Sequence, residues 1–304
     1  MPCKGMHLQV QNTQNVKIRK WGCNRKVLRG LKAAVSCVFV MKIAEKFSEL
    51  KKKKQGALIG FVTAGDPGPE DTMEIAEAMI RGGIDILELG LPFSDPIADG
   101  PVIQKAGERA LGAGMNPEIF FEMAGKIRGV PKAVLTYYNI VLQRGLDKFA
   151  ADCAKAEIDG LVIPDLPIEE ARPLLSACRK NKVCLIFLAA PTTTDQRLER
   201  ILKESEGFLY VVSVAGVTGA RNKLSAQVKP LIKRIKKISG DLPLAVGFGI
   251  SKAEHVKEVV SAGADGAIVG SAFVKIIEEN AANKKEMLGK LERFASELKS
   301  ATAH

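Results

Sequence analysis

GGIDILELG (residues 82–90), AEIDGLVIP (156–164) and AGADGAIVG (262–270) are three versions of one phrase. Each ends a helical pattern, sets an aspartate immediately before a strand, and then runs apolar. Strands that are apolar throughout belong to a parallel sheet whose outer side is covered by helices. A phrase copied along a chain is what one supersecondary unit repeated around a ring leaves behind.

Working outward from these phrases, β-branched runs at 57–65, 85–91, 133–139, 160–165, 183–190, 208–214, 243–250 and 266–271 alternate with helical patterns. The helices fall at 69–83, up to and including 116–129, and at 146–158, 169–181, 194–206, 224–239 and 252–263. Two further helices follow, at 272–280 and about 283–300, and an amphipathic one with Ile43, Ala44, Phe47 and Leu50 on one face precedes the first strand. Eight such units predict an α/β fold, a (βα)8 TIM barrel with an extra N-terminal helix and an extra short helix after strand 8. Pro230 inside the sixth helical pattern predicts a kink or a short turn before the helix proper.

The 304 residues carry a net charge of +11, but its distribution argues against a nucleic-acid surface. Residues 1–40 hold eight Lys and Arg and no acid, so the body is close to balanced. We expect residues 1–40 to lie outside the fold, as a disordered appendage or sequence upstream of a working start at Met41, and residues 41–304 to form one barrel domain. A targeting peptide is the rival reading; scarce serine and the shortness of AAVSCVFV (33–40) count against it. No apolar run approaches the roughly 20 residues a membrane helix needs. The six cysteines lack metal-ligand spacing, which predicts free thiols in a reducing cytoplasm. None of His7, His255 or His304 has a partner suited to nucleophilic catalysis; His255, in a helical pattern, is expected on the surface. No metal site is expected.

In a barrel, chemistry sits where loops leave the carboxyl ends of the strands. ELGLPFSDPIADGP (88–101) places Glu88 near the end of the second strand and Asp95 and Asp99 on the loop after it. Loop capping with a salt bridge is the plain reading for the two aspartates. A carboxylate within an apolar strand costs several kcal/mol unless it is neutralised or paired, so Glu88 has a task. Three glycine-rich loops, SVAGVTGAR (213–221), GFGIS (247–251) and GSAFVKII (270–277), follow strands 6, 7 and 8. Glycine lets backbone N–H groups approach a phosphate, and the helix starting at Gly270 and Ser271 offers unpaired donors with a favourable dipole. Each loop alone reads as a turn; three converging on one end of a barrel predict a phosphorylated ligand.

These segments, with FVTAGDP (61–67) and GSAFVKIIE (270–278), resemble the tryptophan synthase alpha subunit family, in order from Met41 to the C terminus. The resemblance implies retro-aldol cleavage of indole-3-glycerol phosphate to indole and glyceraldehyde 3-phosphate, with no cofactor in this chain. It carries the catalytic glutamate onto Glu88, a proton-transfer group with a raised pKa, and the catalytic aspartate onto Asp99, which stays ionised and accepts the indole N–H. Thr218 then closes over the site and helps orient Asp99, while Gly219, Gly249, Gly270 and Ser271 bind phosphate. Phe61 and Phe248 sandwich the indole, Tyr210 lies near the reacting carbons, and Tyr137 and Asn139 fall at a strand end; ordinary core is the plain reading for each aromatic. Asp95 becomes a residue of the loop facing a β subunit, which brings pyridoxal phosphate within an α2β2 heterotetramer. Two alternatives stand beside this: another phosphate-binding barrel, such as a sugar-phosphate epimerase or isomerase, and a weakly catalytic regulatory subunit. A basic N-terminal arm binding nucleic acid is a third.

Overall fold

A computed structural model describes residues 42–212, 228–247 and 249–303. The expectations for residues 1–40, Thr218, Gly219 and Phe248 lie outside the described residues. Nine parallel strands run β1 Ala57–Thr63, β2 Ile86–Gly90, β3 Lys132–Leu135, β4 Gly160–Val162, β5 Cys184–Ile186, β6 Leu188–Ala189, β7 Leu209–Val212, β8 Leu244–Gly247 and β9 Gly266–Val269. Their order is β5-β4-β3-β2-β1-β9-β8-β7-β6. The two ends of that order are one stretch of chain. The fifth expected strand divides at Phe187, with β5 paired to β4 and β6 to β7, and the Phe187 carbonyl accepts from Tyr210 N at 3.0 Å. The ring is therefore an eight-unit TIM barrel with one strand broken in two.

Side-chain alternation along the strands sorts the apolar residues into two cores. Leu58, Leu87, Leu89 and Val134 face the surrounding helices, whereas Ile59, Ile86, Ala133, Val162, Ile186, Tyr210 and Ile268 fill the barrel interior. Helix α1, Lys42–Lys52, adds Ile43, Phe47 and Leu50 to the interior set and so plugs the end where the strands begin. Burying each such side chain stabilises the plug by about 1.5–3 kcal/mol. The glycine after the aspartate in two of the repeated phrases serves this plug. A Cβ at Gly160 would lie 2.9 Å from Ile43 Cδ1, and one at Gly266 would lie 3.3 Å from Phe47 Cε1.

The repeated aspartates form a repeated clamp. Asp85 Oδ2 accepts from Leu58 N at 2.7 Å while Asp85 N donates to Leu58 O at 2.8 Å. Asp159 does the same to Lys132 (3.1 and 2.8 Å) and Asp265 to Leu244 (2.7 and 2.8 Å). Each acid thus caps the first residues of the preceding strand, at the end where the strands begin. Lys299 and Lys236 add ion pairs to Asp85 and Asp265, at 2.7 and 2.5 Å.

The helices after α1 are α2 Asp71–Arg81, α3 Pro101–Gly112, α4 Pro117–Ala124, α5 Tyr138–Arg144, α6 Leu146–Lys155, α7 Arg172–Asn181, α8 Asp195–Glu204, α9 Val228–Lys236, α10 Ala253–Ser261, α11 Ser271–Asn280 and α12 Lys284–Ser300. Four sequence expectations need amending. The helical text up to 129 is two helices, with Asn116 Oδ1 capping the second by accepting from Ile119 N at 3.1 Å. The third strand stops at Leu135, and α5 begins at Tyr138, so the exposed Asn139 lies in a helix and not at a strand end. Pro230 lies within α9. His255 is buried at 5% exposure, where its Nδ1 accepts from Ser251 N at 3.4 Å, rather than on the surface.

Candidate active site

The apolar interior of the barrel opens at the carboxyl ends of the strands into a cleft of about 530 Å3, counting its mouth. Glu88 points into it because side chains alternate along β2: Ile86 faces inward below it, and Leu87 and Leu89 face the helices. The parallel register sets Glu88 beside Phe61 of β1 and Ala133 of β3. The side chain is 1% exposed, and neither carboxyl oxygen has a hydrogen-bond partner among the described residues. Burial, reinforced by the charge of Asp99, pushes its pKa up to about 8. At neutral pH Glu88 therefore favours its protonated form.

Asp99 approaches from the loop after β2. Gln104 Nε2, one turn into α3, donates to the Asp99 carbonyl at 2.8 Å, and the Tyr137 hydroxyl accepts from Ala98 N at 3.0 Å. The same hydroxyl lies near enough to the Asp99 carboxylate to favour its charged form, and the Phe93 ring packs on Tyr137 with centroids 5.4 Å apart. Burial raises the Asp99 pKa while the Tyr137 hydroxyl draws it back down. Asp99 acts on Glu88 as a negative charge, so of the two carboxyls it ionises first. Two acids driven to different protonation states by their surroundings can divide proton donation from charge stabilisation.

The other end of the cleft holds Gly249, Gly270 and Ser271. Gly249 has φ +80°, a conformation that favours glycine. Gly270 sits so close to Phe61 that a Cβ there would lie 3.2 Å from Phe61 Cδ1, and Ser271 opens α11. A helix N-terminus presenting backbone N–H groups beside two glycines suits a phosphate or other anion. Tyr210 also lines the cleft, its phenol pushed well above the ordinary range by burial with Glu88 and Asp99 nearby.

Seven residues singled out from the sequence thus share one cleft: Phe61, Glu88, Asp99, Tyr210, Gly249, Gly270 and Ser271. Tyr137 stands behind Asp99 and contacts the loop. Asp95 lies outside the cleft, exposed on the loop, accepting from Ser94 Oγ at 2.5 Å. Sequence reading missed Ile103, Leu135, Ile250 and Ile268, which line the apolar part. Leu135 and Ile268 could have been found by counting inward positions around the ring; Ile103 is set by the winding of α3. Among the described residues no cluster of three His, Cys, Asp or Glu side chains could hold a metal ion.

Comparison with known proteins bears on this arrangement. The sequence profile described as tryptophan synthase alpha chain matches residues 47–303. The chain is 55% identical over 264 residues to the tryptophan synthase alpha chain of Methanosarcina acetivorans, covering 85% of this chain and 93% of that one. Its fold is similar to a solved structure of Mycobacterium tuberculosis tryptophan synthase, with TM-score 0.80 and 34% identity over 88% of this chain and 100% of that one. It is likewise similar to tryptophan synthase subunit alpha from Legionella pneumophila, with TM-score 0.79 and 34% identity over 87% and 99% of the two chains. The chain belongs to the tryptophan synthase alpha chain family.

Proposed function

We propose that this protein is a carbon–carbon lyase that cleaves indole-3-glycerol phosphate to indole and glyceraldehyde 3-phosphate by a retro-aldol reaction, without a cofactor of its own. The observation that carries the reading is a buried, protonated Glu88 facing a cleft that has Asp99 on its loop and an anion-suited helix start at its far end. Glu88 gives its proton to indole C3, which makes the ring a leaving group. Asp99 accepts the indole N–H and stabilises the positive charge that develops on the ring. The Glu88 carboxylate then removes the proton of the hydroxyl on the adjacent glyceryl carbon. The C–C bond breaks, its electrons return to the ring, and the hydroxyl carbon leaves as the aldehyde, so Glu88 is protonated again. Gly219, Gly249, Gly270 and Ser271 hold the phosphate, Thr218 closes over the site and helps orient Asp99, and Phe61 and Phe248 flank the indole.

A β subunit carrying pyridoxal phosphate is the partner that would consume the indole, in an α2β2 heterotetramer. The exposed Asp95 and Ile97, the latter 78% exposed, suit the loop after β2 for that contact. Buried thiols at Cys153 and Cys178, outside any disulfide, suit a reducing cytoplasm. Among the described residues no helix is long and apolar enough to cross a membrane. The test is indole release from indole-3-glycerol phosphate by the wild-type chain, alone and titrated with a β subunit, beside Asp95→Ala. Release of indole, raised by the β subunit in wild type and much less in the variant, supports the reading. A folded wild-type chain that releases no indole under either condition refutes it.

A further inference from the structure

Two helices begin at the cleft and carry its opposite ends. Helix α3 starts at Pro101, two residues after Asp99; its Ile103 lines the cleft and its Gln104 holds the Asp99 carbonyl. Helix α11 starts at Ser271 beside Gly270, at the end suited to phosphate. Whatever fixes the spacing of these helices fixes the distance between the carboxylate and the phosphate handle.

One guanidinium bridges the two helices. Arg109 Nε and Nη2 form a bidentate fork on Asp66, at 2.7 Å to Oδ1 and 2.9 Å to Oδ2, while Nη1 donates to Glu278 Oε1 at 3.1 Å. Arg109 lies eight residues into α3 and Glu278 seven into α11. At ~1.5 Å per residue the link is about 12 and 10 Å from the two helix starts, a matching depth. Asp66, in the turn after β1, is 1% exposed, so its carboxylate depends on this partner. Between the clamp and the cleft lies a small core of Phe61, Ala106 and Val274, one residue from each of β1, α3 and α11. Three apolar side chains resist separation but not sliding, whereas a planar fork fixes direction as well as distance.

We propose that Arg109 is a positioning residue of the cleavage reaction, setting the separation of Asp99 from the phosphate-binding end through Asp66 and Glu278. The inference rests on the reaction proposed above. Because a misplacement of about 1 Å can cost about a hundredfold in rate, a residue outside the cleft can govern turnover by this route.

The experiment compares Arg109→Lys, Glu278→Gln and a control, Arg81→Met, which removes the ion pair joining α2 to α12 (Arg81 Nε to Glu292 Oε2, 3.0 Å). Thermal midpoint, kcat and KM for indole release, and the calorimetric Kd for inorganic phosphate are measured for each. Lysine keeps a charge beside Asp66 but cannot fork, so Arg109→Lys should lower kcat by about tenfold or more and raise KM. Glu278→Gln frees only α11; it should raise KM and the phosphate Kd together by about fivefold and lower kcat less than Arg109→Lys does. Arg81→Met should shift the midpoint alone. If both Arg109→Lys and Glu278→Gln shift only the midpoint, as the control does, Arg109 is a stabilising ion pair and the proposal is wrong. Absence of indole release from wild type is a separate failure: it overturns the reaction, and the positioning role with it.

Discussion

Replacing Glu88 with glutamine should remove activity and, at alkaline pH, strengthen the fold. The carboxyl is buried without a hydrogen-bond partner among the described residues, so an amide of the same shape forfeits no bond there. Its pKa is raised from 4.5 to about 8. A raised folded-state pKa contributes stability that is fully present below the unfolded value and is lost as pH rises through the folded one. The window therefore runs from pH 4.5 to 8. Across it the wild type should lose about 5 kcal/mol relative to the glutamine variant, and about 3 kcal/mol of that by pH 7. Urea denaturation of both proteins at intervals from acid to pH 8.5 measures this difference directly. Turnover in Glu88→Gln should fall by about 10²- to 10⁴-fold, with substrate Kd changed only a few fold. Parallel stability curves for the two proteins would refute the raised pKa, and near-normal turnover would remove Glu88 from proton transfer.

Three other substitutions probe the remaining parts of the site and fold. Ser271→Asp places a negative charge at a helix start, which the helix itself favours, so the variant should fold; it should raise KM for the phosphorylated substrate sharply and leave binding of free indole unchanged in an equilibrium titration. This is a cleaner probe than any change at Gly249, where φ +80° would add backbone strain. Tyr137→Phe removes the hydroxyl that lowers the Asp99 pKa, so the acid limb of the kcat–pH profile should move to higher pH; an unmoved limb would separate Tyr137 from Asp99. Lys132, 2% exposed, donates to the carbonyls of Ala124, Ile127 and Ala156 at 2.6, 3.0 and 2.9 Å. Lys132→Met should destabilise the protein by about 3 kcal/mol without altering KM, as read by denaturant midpoint and indole release.

Much of this was legible in the sequence because it lies in short stretches. A charged residue in an apolar strand marked Glu88, and glycines after strands marked Gly249 and Gly270. The third strand was read too long because Thr136, Tyr137 and Tyr138 favour strands locally, while the backbone turns into α5 where Asp165 accepts from Tyr138 N at 2.9 Å. His255 was misplaced because a polar residue on a helix reads as exposed, although its ring is covered and caps Ser251. The Arg109 clamp could not be read at all, since its acids stand 43 and 169 residues away along the chain. Pairings of that range exist only once the barrel has closed.

The aspartate clamps say where the aim of Glu88 is decided. A strand that slips by one residue exchanges its faces. In β2 such a slip would turn Glu88 toward the helices and a leucine into the cleft. Asp85, three residues earlier and at the far end of the strand, forbids the slip by gripping both backbone groups of Leu58. The end that performs chemistry is thereby relieved of holding alignment. Its loops can be lengthened, shortened or exchanged while the direction of the inward side chains on the clamped strands is dictated from beneath. A barrel built this way can inherit new reactions through its upper loops and keep its compass at the base.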